Sequence, residues 1–298
     1  MRMIVGESFA DVYSKAMDML LNNYEYKTAP RGLDIHECLN VGLYIENPTL
    51  NLFKYEDKSL TLPTGYVKKE MCLYLLGSDD ARDFSKASKF WDNIKTKQGK
   101  INSAYGNLIF NKSLEDGRSQ FDWAFDSLKN DKDSRQAFMR YNNTSHQYDG
   151  NKDVPCTFIQ GFHIRNNKLH STVEMRSNDI IKGTTYDIPS FILFQRLMLL
   201  RLREVYPDLE MGSMTHQAMS FHLYSTDFEL VEKRLQSQIH STAYPFPNDW
   251  RCIKSEDVLR CFDIKVNKQN WLINWQYPEN KDFYEWLSTE EFSEICCA

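Results

Sequence analysis

Residues 154–187 read VPCTFIQGFHIRNNKLHSTVEMRSNDIIKGTTYD. Two strand-like runs, 157–164 and 169–175, flank Arg165-Asn166-Asn167-Lys168, which is a hairpin signal. The same stretch carries reactive side chains. Pro155-Cys156 stands at its head. Met175-Arg176-Ser177-Asn178-Asp179 ends the second run, and Gly183 and Tyr186-Asp187 follow. His222-Leu223-Tyr224 lies further on. Taken singly, each piece has a plain structural reading. A lone cysteine is usually core, Arg-Ser-Asn-Asp suits a solvated turn, and Gly183 suits a turn.

Working outward, residues 5–23 place Phe9, Val12, Tyr13, Ala16, Met19 and Leu20 at helical spacing. Ala29-Pro30-Arg31-Gly32 breaks the chain. A strand over 36–45 ends at Glu46-Asn47-Pro48. A helix over 66–76 contains one acid, Glu70, and stops at Gly77-Ser78-Asp79-Asp80. By composition alone Glu70 reads as surface. A short helix follows over 83–95, then loop over 98–103, helix over 118–129 and strand over 138–141. The polar loop 142–154 delivers Cys156. An apolar helix spans 189–206, with Pro189 in its first turn. A short strand over 220–224, a helix over 227–237 and aromatic-rich strands over 262–276 complete the chain. There is no repeat, low-complexity run or linker, so 1–298 reads as one domain.

Hydrophobic residues make up 42% and charged residues 26% of 298, the balance of a soluble globular protein. Eighteen Phe, 16 Tyr and 6 Trp supply a large core. The net charge of −5, with no basic tail, argues against duplex nucleic acid as the main ligand. Glu7 and Asp11 interrupt any signal-peptide pattern, and no run approaches a membrane span. Seven scattered cysteines without a CxxC fit a reducing, cytoplasmic setting. Cys296-Cys297 reads as an exposed tail.

Together the motifs resemble thymidylate synthases and their hydroxymethylase relatives. That family sets a Pro-Cys nucleophile twenty residues before the arginine of an Arg-Ser-x-Asp motif, the separation of Cys156 and Arg176. Its glycine four residues past the aspartate matches Gly183. Its base-reading residue four further on falls on Asp187, and its sugar-binding His-x-Tyr on His222 and Tyr224. Upstream, Glu70-Met71-Cys72-Leu73-Tyr74-Leu75-Leu76-Gly77, Trp91-Asp92, Ser103-Ala104-Tyr105-Gly106 and Asp133-Ser134-Arg135 match in order. Gln136 stands where the family has a second arginine. The match spans about 5–232, and the C-terminal part is unassigned. The resemblance implies an α/β (α+β) fold of three layers around a mixed β-sheet, and a homodimer formed through the sheet's back face. It also implies an enzyme acting on a pyrimidine nucleoside monophosphate with 5,10-methylenetetrahydrofolate as cosubstrate, and no metal.

The roles follow from the resemblance. Cys156 adds as thiolate to ring carbon 6, which makes carbon 5 nucleophilic. Arg176 is the expected cause of a lowered thiol pKa. Arg176, Ser177 and Arg31 bind phosphate, and Arg135 serves the partner's site. Glu70 is the general acid/base acting through water, with Tyr105 assisting near carbon 5. Asp179 contacts the pterin, Trp91 lines the folate pocket, and Gly183 belongs with them. The plain reading of Trp91 is a core tryptophan. Tyr186 and Ile188 position the loop carrying Asp187.

Two departures point within the family. Synthases normally carry Asn where Asp187 stands; a carboxylate accepts from cytosine's amino group and repels uracil's carbonyl. Synthases usually have His after the cysteine, where this chain has Thr157. Cys-Thr, Met-Arg-Ser-Asn-Asp and Ile-Asn-Ser-x-Tyr-Gly resemble the T-even-type phage deoxycytidylate hydroxymethylases, and Ser220 replaces the synthase Asp near His-x-Tyr. That branch quenches its intermediate with water rather than hydride, in a host's cytoplasm. A uridylate hydroxymethylase or thymidylate synthase is the alternative. A synthase-like nucleotide-binding protein is the non-enzyme reading, though it need not keep Cys156 and Glu70 together. A cysteine hydrolase would need a histidine base that no local signature supplies.

Overall fold

A computed structural model describes residues 2–61, 64–268 and 274–289. In chain order come β1 (Arg2–Gly6), α1 (Phe9–Asn22), β2 (Tyr26–Thr28), β3 (Ile35–Ile45), β4 (Leu52–Tyr55) and α2 (Thr64–Leu76). Then follow α3 (Ala81–Ala87), α4 (Phe90–Ile94), α5 (Gln120–Asn130), β5 (Phe138–Arg140), β6 (Thr157–Arg165) and β7 (Lys168–Asp179). The last are α6 (Thr184–Leu202), β8 (Glu210–Tyr224), α7 (Phe228–Gln236), β9 (Ile239–Thr242), α8 (Glu256–Asn267) and α9 (Lys281–Ser288).

The main sheet runs β1-β3-β8-β7-β6-β5, with β2 against β3. It is mixed: β1 with β3 and β7 with β8 are parallel, the other pairs antiparallel. Helix α6 packs on β7 and β8, and α2 and α5 cover it from outside. Its residues Phe191, Ile192, Leu193, Phe194, Leu197 and Met198 are all fully buried, so α6 is the middle of the layered core. A helix apolar all round needs cover on every side. Among the described residues no helix is long and apolar enough to cross a membrane.

The β6–β7 hairpin forms as expected. Asn166 and Asn167 both take positive φ, 49° and 57°, as a two-residue turn between twisted strands requires. The second strand runs further than the expected 169–175. Parallel pairing with β8 continues to Asp179↔His222, so Arg176 to Asp179 are strand residues and not a turn. The 220–224 strand is correspondingly the end of a longer one.

Other expectations need correction. The helix expected over 5–23 starts at Phe9, because Ser8 and Asp11 form a reciprocal capping box: the Asp11 N–H donates to Ser8 Oγ, and the Ser8 N–H donates to Asp11 Oδ2. Residues 2–6 are released to pair with β3. The helix over 83–95 is two helices, broken at Ser88. Helix α6 begins at Thr184, so Pro189 lies beyond its first turn and Asp187 lies in a helix, not a loop. Of the strands expected over 262–276, residues 262–267 belong to helix α8. Val258, Cys261, Phe262 and Lys265 bury one stripe of a helix that Ser255 caps. Residues 269–273 and Cys296-Cys297 lie outside the described residues.

Candidate active site

One cavity of about 2910 Å³ opens beside the C-terminal ends of β7 and β8. Cys156, Glu70, Tyr105, Asp187, Asp179 and Trp91 line it, and so do Arg31, Arg176, Ser177, Gly183, His222 and Tyr224. Arg135 does not; it is exposed elsewhere on the chain.

Cys156 sits just before β6, half-buried. Arg176 clamps the approach to it. Its backbone N–H donates to the Cys156 carbonyl (2.8 Å), and its guanidinium donates to the carbonyls of Val154 (2.8 Å) and Pro155 (3.4 Å). The expectation of a lowered thiol pKa fails in this state. Burial pushes the thiol up; Arg176 opposes this and the Asp187 charge adds to it. Next to the nucleophile, Thr157 Oγ1 donates to Tyr105 Oη at 2.9 Å. Tyr105 is packed against Tyr74, Tyr141 and Phe191.

Glu70 is 6% exposed, not a surface residue. The Tyr66 hydroxyl donates to Glu70 Oε1 at 2.9 Å, and Trp91 Nε1–H donates to Tyr66 at 3.2 Å. Burial outweighs these bonds and pushes the carboxyl up to about 7. Asp187 stands half-buried in the cavity wall. Burial first, then the charge of Glu70, pushes its carboxyl up to about 8, while a hydrogen bond from Asn178 pulls down. That bond runs from Asn178 Nδ2 to Asp187 Oδ2 at 2.7 Å. Asn178 Oδ1 accepts from the Thr184 hydroxyl and lies 3.2 Å from His216 Nε2. Two carboxyls of one cavity wall are thus both raised toward neutral pH, the range in which side chains can exchange protons.

At the other end of the cavity Arg31, Arg176, Ser177, His222 and Tyr224 form a polar, cationic lining. Arg31 donates to Tyr224 Oη at 3.4 Å. Ser220 donates to Glu37, which also faces the cavity. Asp179 caps the turn after β7 by accepting from the N–H groups of Ile181 (2.6 Å) and Lys182 (3.1 Å). Its carboxyl is raised by burial, and burial lowers His222 beside it. Gly183 has a structural reason to be glycine: a Cβ there would stand 2.8 Å from both Asn178 Nδ2 and the Asp179 carbonyl. Among the described residues, no group of three or more His, Cys, Asp or Glu is placed to hold a metal ion.

The sequence profile of one family, thymidylate synthase, matches residues 58–270. The chain belongs to the thymidylate synthase family. It is thus a folate-dependent transferase of one-carbon units to pyrimidine nucleotides. Among curated relatives, it is 29% identical to the deoxycytidylate 5-hydroxymethyltransferase of Enterobacteria phage T6 over 194 residues, 62% of this chain and 78% of that one. It is 27% identical to the thymidylate synthase of Bacillus atrophaeus over 217 residues, 72% of this chain and 89% of that one. Thermostable thymidylate synthase A from Bacillus subtilis superposes with a TM-score of 0.61 at 19% identity, covering 79% of this chain and 86% of that one, which shows the fold.

Within this thymidylate synthase fold, the structure adds residues that motif reading missed. Tyr66 touches Glu70 and Trp91 at once. The only signal for it is the 66-70-74 spacing, which stacks Tyr66, Glu70 and Tyr74 on one helix face. Asn178 was read only as the variable position of a motif, and His216 and Thr184 were not read at all. A histidine inside an apolar strand reads as core; the register sets His216 opposite Val173, and its ring still reaches Asn178 Oδ1 at 3.2 Å.

Proposed function

We propose that this family member is a deoxycytidylate 5-hydroxymethyltransferase. The observation carrying the proposal is Asp187: a half-buried carboxyl in the cavity wall, held by Asn178 and pushed up to about 8, at the position expected to read the base. A neutral carboxyl is one donor and one acceptor. It donates to cytosine N3 and accepts from the 4-amino group. It also holds a proton that N3 takes when Cys156 adds at carbon 6. Arg176, Ser177, Arg31, His222 and Tyr224 line the phosphate and sugar end. Exposed Arg135 is assigned to the partner's phosphate site in a homodimer. The apolar side chains that β1, β3, β5 and β8 expose support that contact: Met3, Val5, Leu39, Phe138 and Met219.

The lining also suits a folate. Trp91 and Phe90 give an aromatic wall, Lys69 and Lys89 edge it with cations for a glutamate tail, and Asp179 supplies a desolvated carboxyl for the pterin. When bound, 5,10-methylenetetrahydrofolate supplies the one-carbon electrophile. Glu70, held at about 7 and steadied by Tyr66, exchanges protons with water near carbon 5. That water, not hydride, completes the product. Thr157 holds Tyr105 beside the reacting carbons.

A second reading has one observation behind it. The same neutral carboxyl mimics an amide and could pair with uracil, as in a uridylate hydroxymethylase or thymidylate synthase. The deciding experiment measures tritium release from carbon 5 of dCMP, dUMP and CMP with methylenetetrahydrofolate, then identifies the product by mass. Fastest turnover of dCMP to a hydroxymethyl product is expected. Faster turnover of dUMP sinks the cytidylate assignment.

A further inference from the structure

Behind Asp187 lies a relay of which only Asn178 reaches the cavity lining, while Thr184 and His216 do not. Asn178 on β7 is 3% exposed and His216 on β8 is 1% exposed. Thr184, in the first turn of α6, is fully buried. Register pairs Val173 with His216 and Asn178 with Phe221, so the relay crosses between two strands and a helix.

An asparagine amide has two orientations, and here they are not equivalent. In the observed one, Asn178 Nδ2 donates to Asp187 Oδ2 at 2.7 Å. Its Oδ1 then accepts from the Thr184 hydroxyl and from His216 Nε2, 3.2 Å away. That requires the Nε2–H tautomer of His216, with Nδ1 bare. Among the described residues Nδ1 has no partner. The flipped amide would require the proton on Nδ1, as a buried donor with nothing to receive it. Orphaned buried N–H groups are rarer than under-used acceptors. Protonating both nitrogens is no escape: burial pushes His216 down to about 3. The pair of donors, Thr184 and His216, thus selects one amide orientation.

The orientation has a chemical consequence at Asp187. With Oδ2 accepting from Asn178, the acid proton belongs on Oδ1. With the amide flipped, the Asn178 oxygen would demand that proton from Oδ2, and the base would meet a carboxyl with no proton to give. We propose that His216 and Thr184 are positioning residues that lock the Asn178 amide and so keep the acid proton of Asp187 on the oxygen free to face the base. This rests on Asp187 being the base-reading acid, and it sharpens that reading.

The test uses full-length His216→Phe, His216→Gln and Thr184→Val. The first removes the ring donor, the second offers an amide N–H in its place, and the third removes the hydroxyl at nearly constant shape. Turnover of dCMP should fall about tenfold in His216→Phe and Thr184→Val, with nucleotide Kd within about threefold of wild type. His216→Gln should recover most of the loss, which a general packing defect would not allow. In the nucleotide-free enzyme, the ¹³C titration midpoint of Asp187 should rise in the first and third variants, because a freed amide accepts from the neutral acid. Other groups facing Asp187 are Glu70 and Tyr74 of α2, Asp179 of β7, Cys156 and Tyr105, and all stay unchanged. Folded variants with wild-type turnover and an unmoved midpoint overturn the lock. If His216→Phe does not fold, Thr184→Val decides by the same two readouts. A wild-type enzyme inactive on every pyrimidine nucleotide would remove the functional reading, while the Asp187 midpoint would still judge the lock.

Discussion

Replacing Asp187 with Asn tests the base assignment at one oxygen. In the folded chain the carboxyl is pushed up to about 8 by burial and then by Glu70. At pH 7 a group titrating there is ~10:1 neutral. Asn178 donates to Oδ2, so in the variant the amide oxygen turns to Asn178 and the amide N–H₂ turns to the base. The donor and acceptor pattern survives, and the KM for dCMP should change little. What disappears is the transferable proton. Cytosine needs it on N3 as Cys156 adds, and a positioned acid is worth ~10²–10⁴-fold. Uracil instead builds charge on its carbonyl oxygen, which a fixed N–H stabilises without transfer. At pH 7 the ionised fraction of Asp187 is small, so its repulsion of that oxygen weighs little and dUMP turnover should change little. The ratio of kcat/KM for dCMP over dUMP should therefore fall at least ~10-fold. Tritium release from carbon 5 of each nucleotide, on wild type and variant, measures it. A ratio unchanged within ~3-fold would refute the reasoning, since losing a positioned proton donor is worth at least ~10²-fold.

Cys156→Ser should abolish turnover while nucleotide binding, measured by calorimetry, stays nearly intact; retained activity would mean that another cysteine is the nucleophile. Cys156 in the free enzyme should react slowly with iodoacetamide at pH 7 and faster as pH climbs past its ordinary thiol range, because burial raises it. Glu70→Gln should change the pH dependence of stability: the unfolded chain releases this proton near 4.5 and the folded chain holds it to about 7, so wild type loses stability as pH rises through that window. Urea unfolding at both ends should show the variant sparing roughly 3 kcal/mol of that loss. Mixing inactive Arg135→Ala with inactive Cys156→Ser should restore activity through hybrid dimers with one intact site, and no recovery would place Arg135 outside the partner's site.

The hairpin around Asn166-Asn167 and the long apolar helix were legible because their signals are local: turn chemistry and a run of large apolar residues. The ordered motifs located the cavity lining for the same reason, since each supplies one side chain at a fixed place along the chain. Strand ends were not legible. Nothing in Arg176-Ser177-Asn178-Asp179 reads as strand; β8, more than thirty residues later, extends it by parallel pairing. Helix α8 was misread because Phe262 suggested a strand, while its partners Val258, Cys261 and Lys265 mark a helical stripe. Burial was the least legible property. Glu70 and His216 are polar by type, and only the packing of α2 and the crossing of β7 with β8 put them in a dry wall. The raised pKa values of Glu70, Asp179 and Asp187 follow from burial, so the chemistry was less readable than the residues themselves.

The dry wall also resolves an apparent conflict. Burial pushes the Cys156 thiol up against the pull of Arg176, and so favours the thiol over the thiolate at neutral pH. A free thiolate would place a new charge in a half-buried pocket. In the proposed reaction, addition to cytosine avoids this. The sulfur bonds to carbon 6, the ring electrons shift through carbons 5 and 4 to N3, and N3 takes the proton of Asp187. The proton leaving sulfur returns to the Asp187 carboxylate. The sum is one proton moved from sulfur to N3, and no charge is created. An aspartate at its ordinary pKa would be ionised at pH 7. Its charge would push the thiol higher still and leave N3 without a donor. On the proposed reading, the burial that raises the pKa of Asp187 is therefore the condition under which a half-buried thiol serves as the nucleophile, and the two raised pKa values belong to one design.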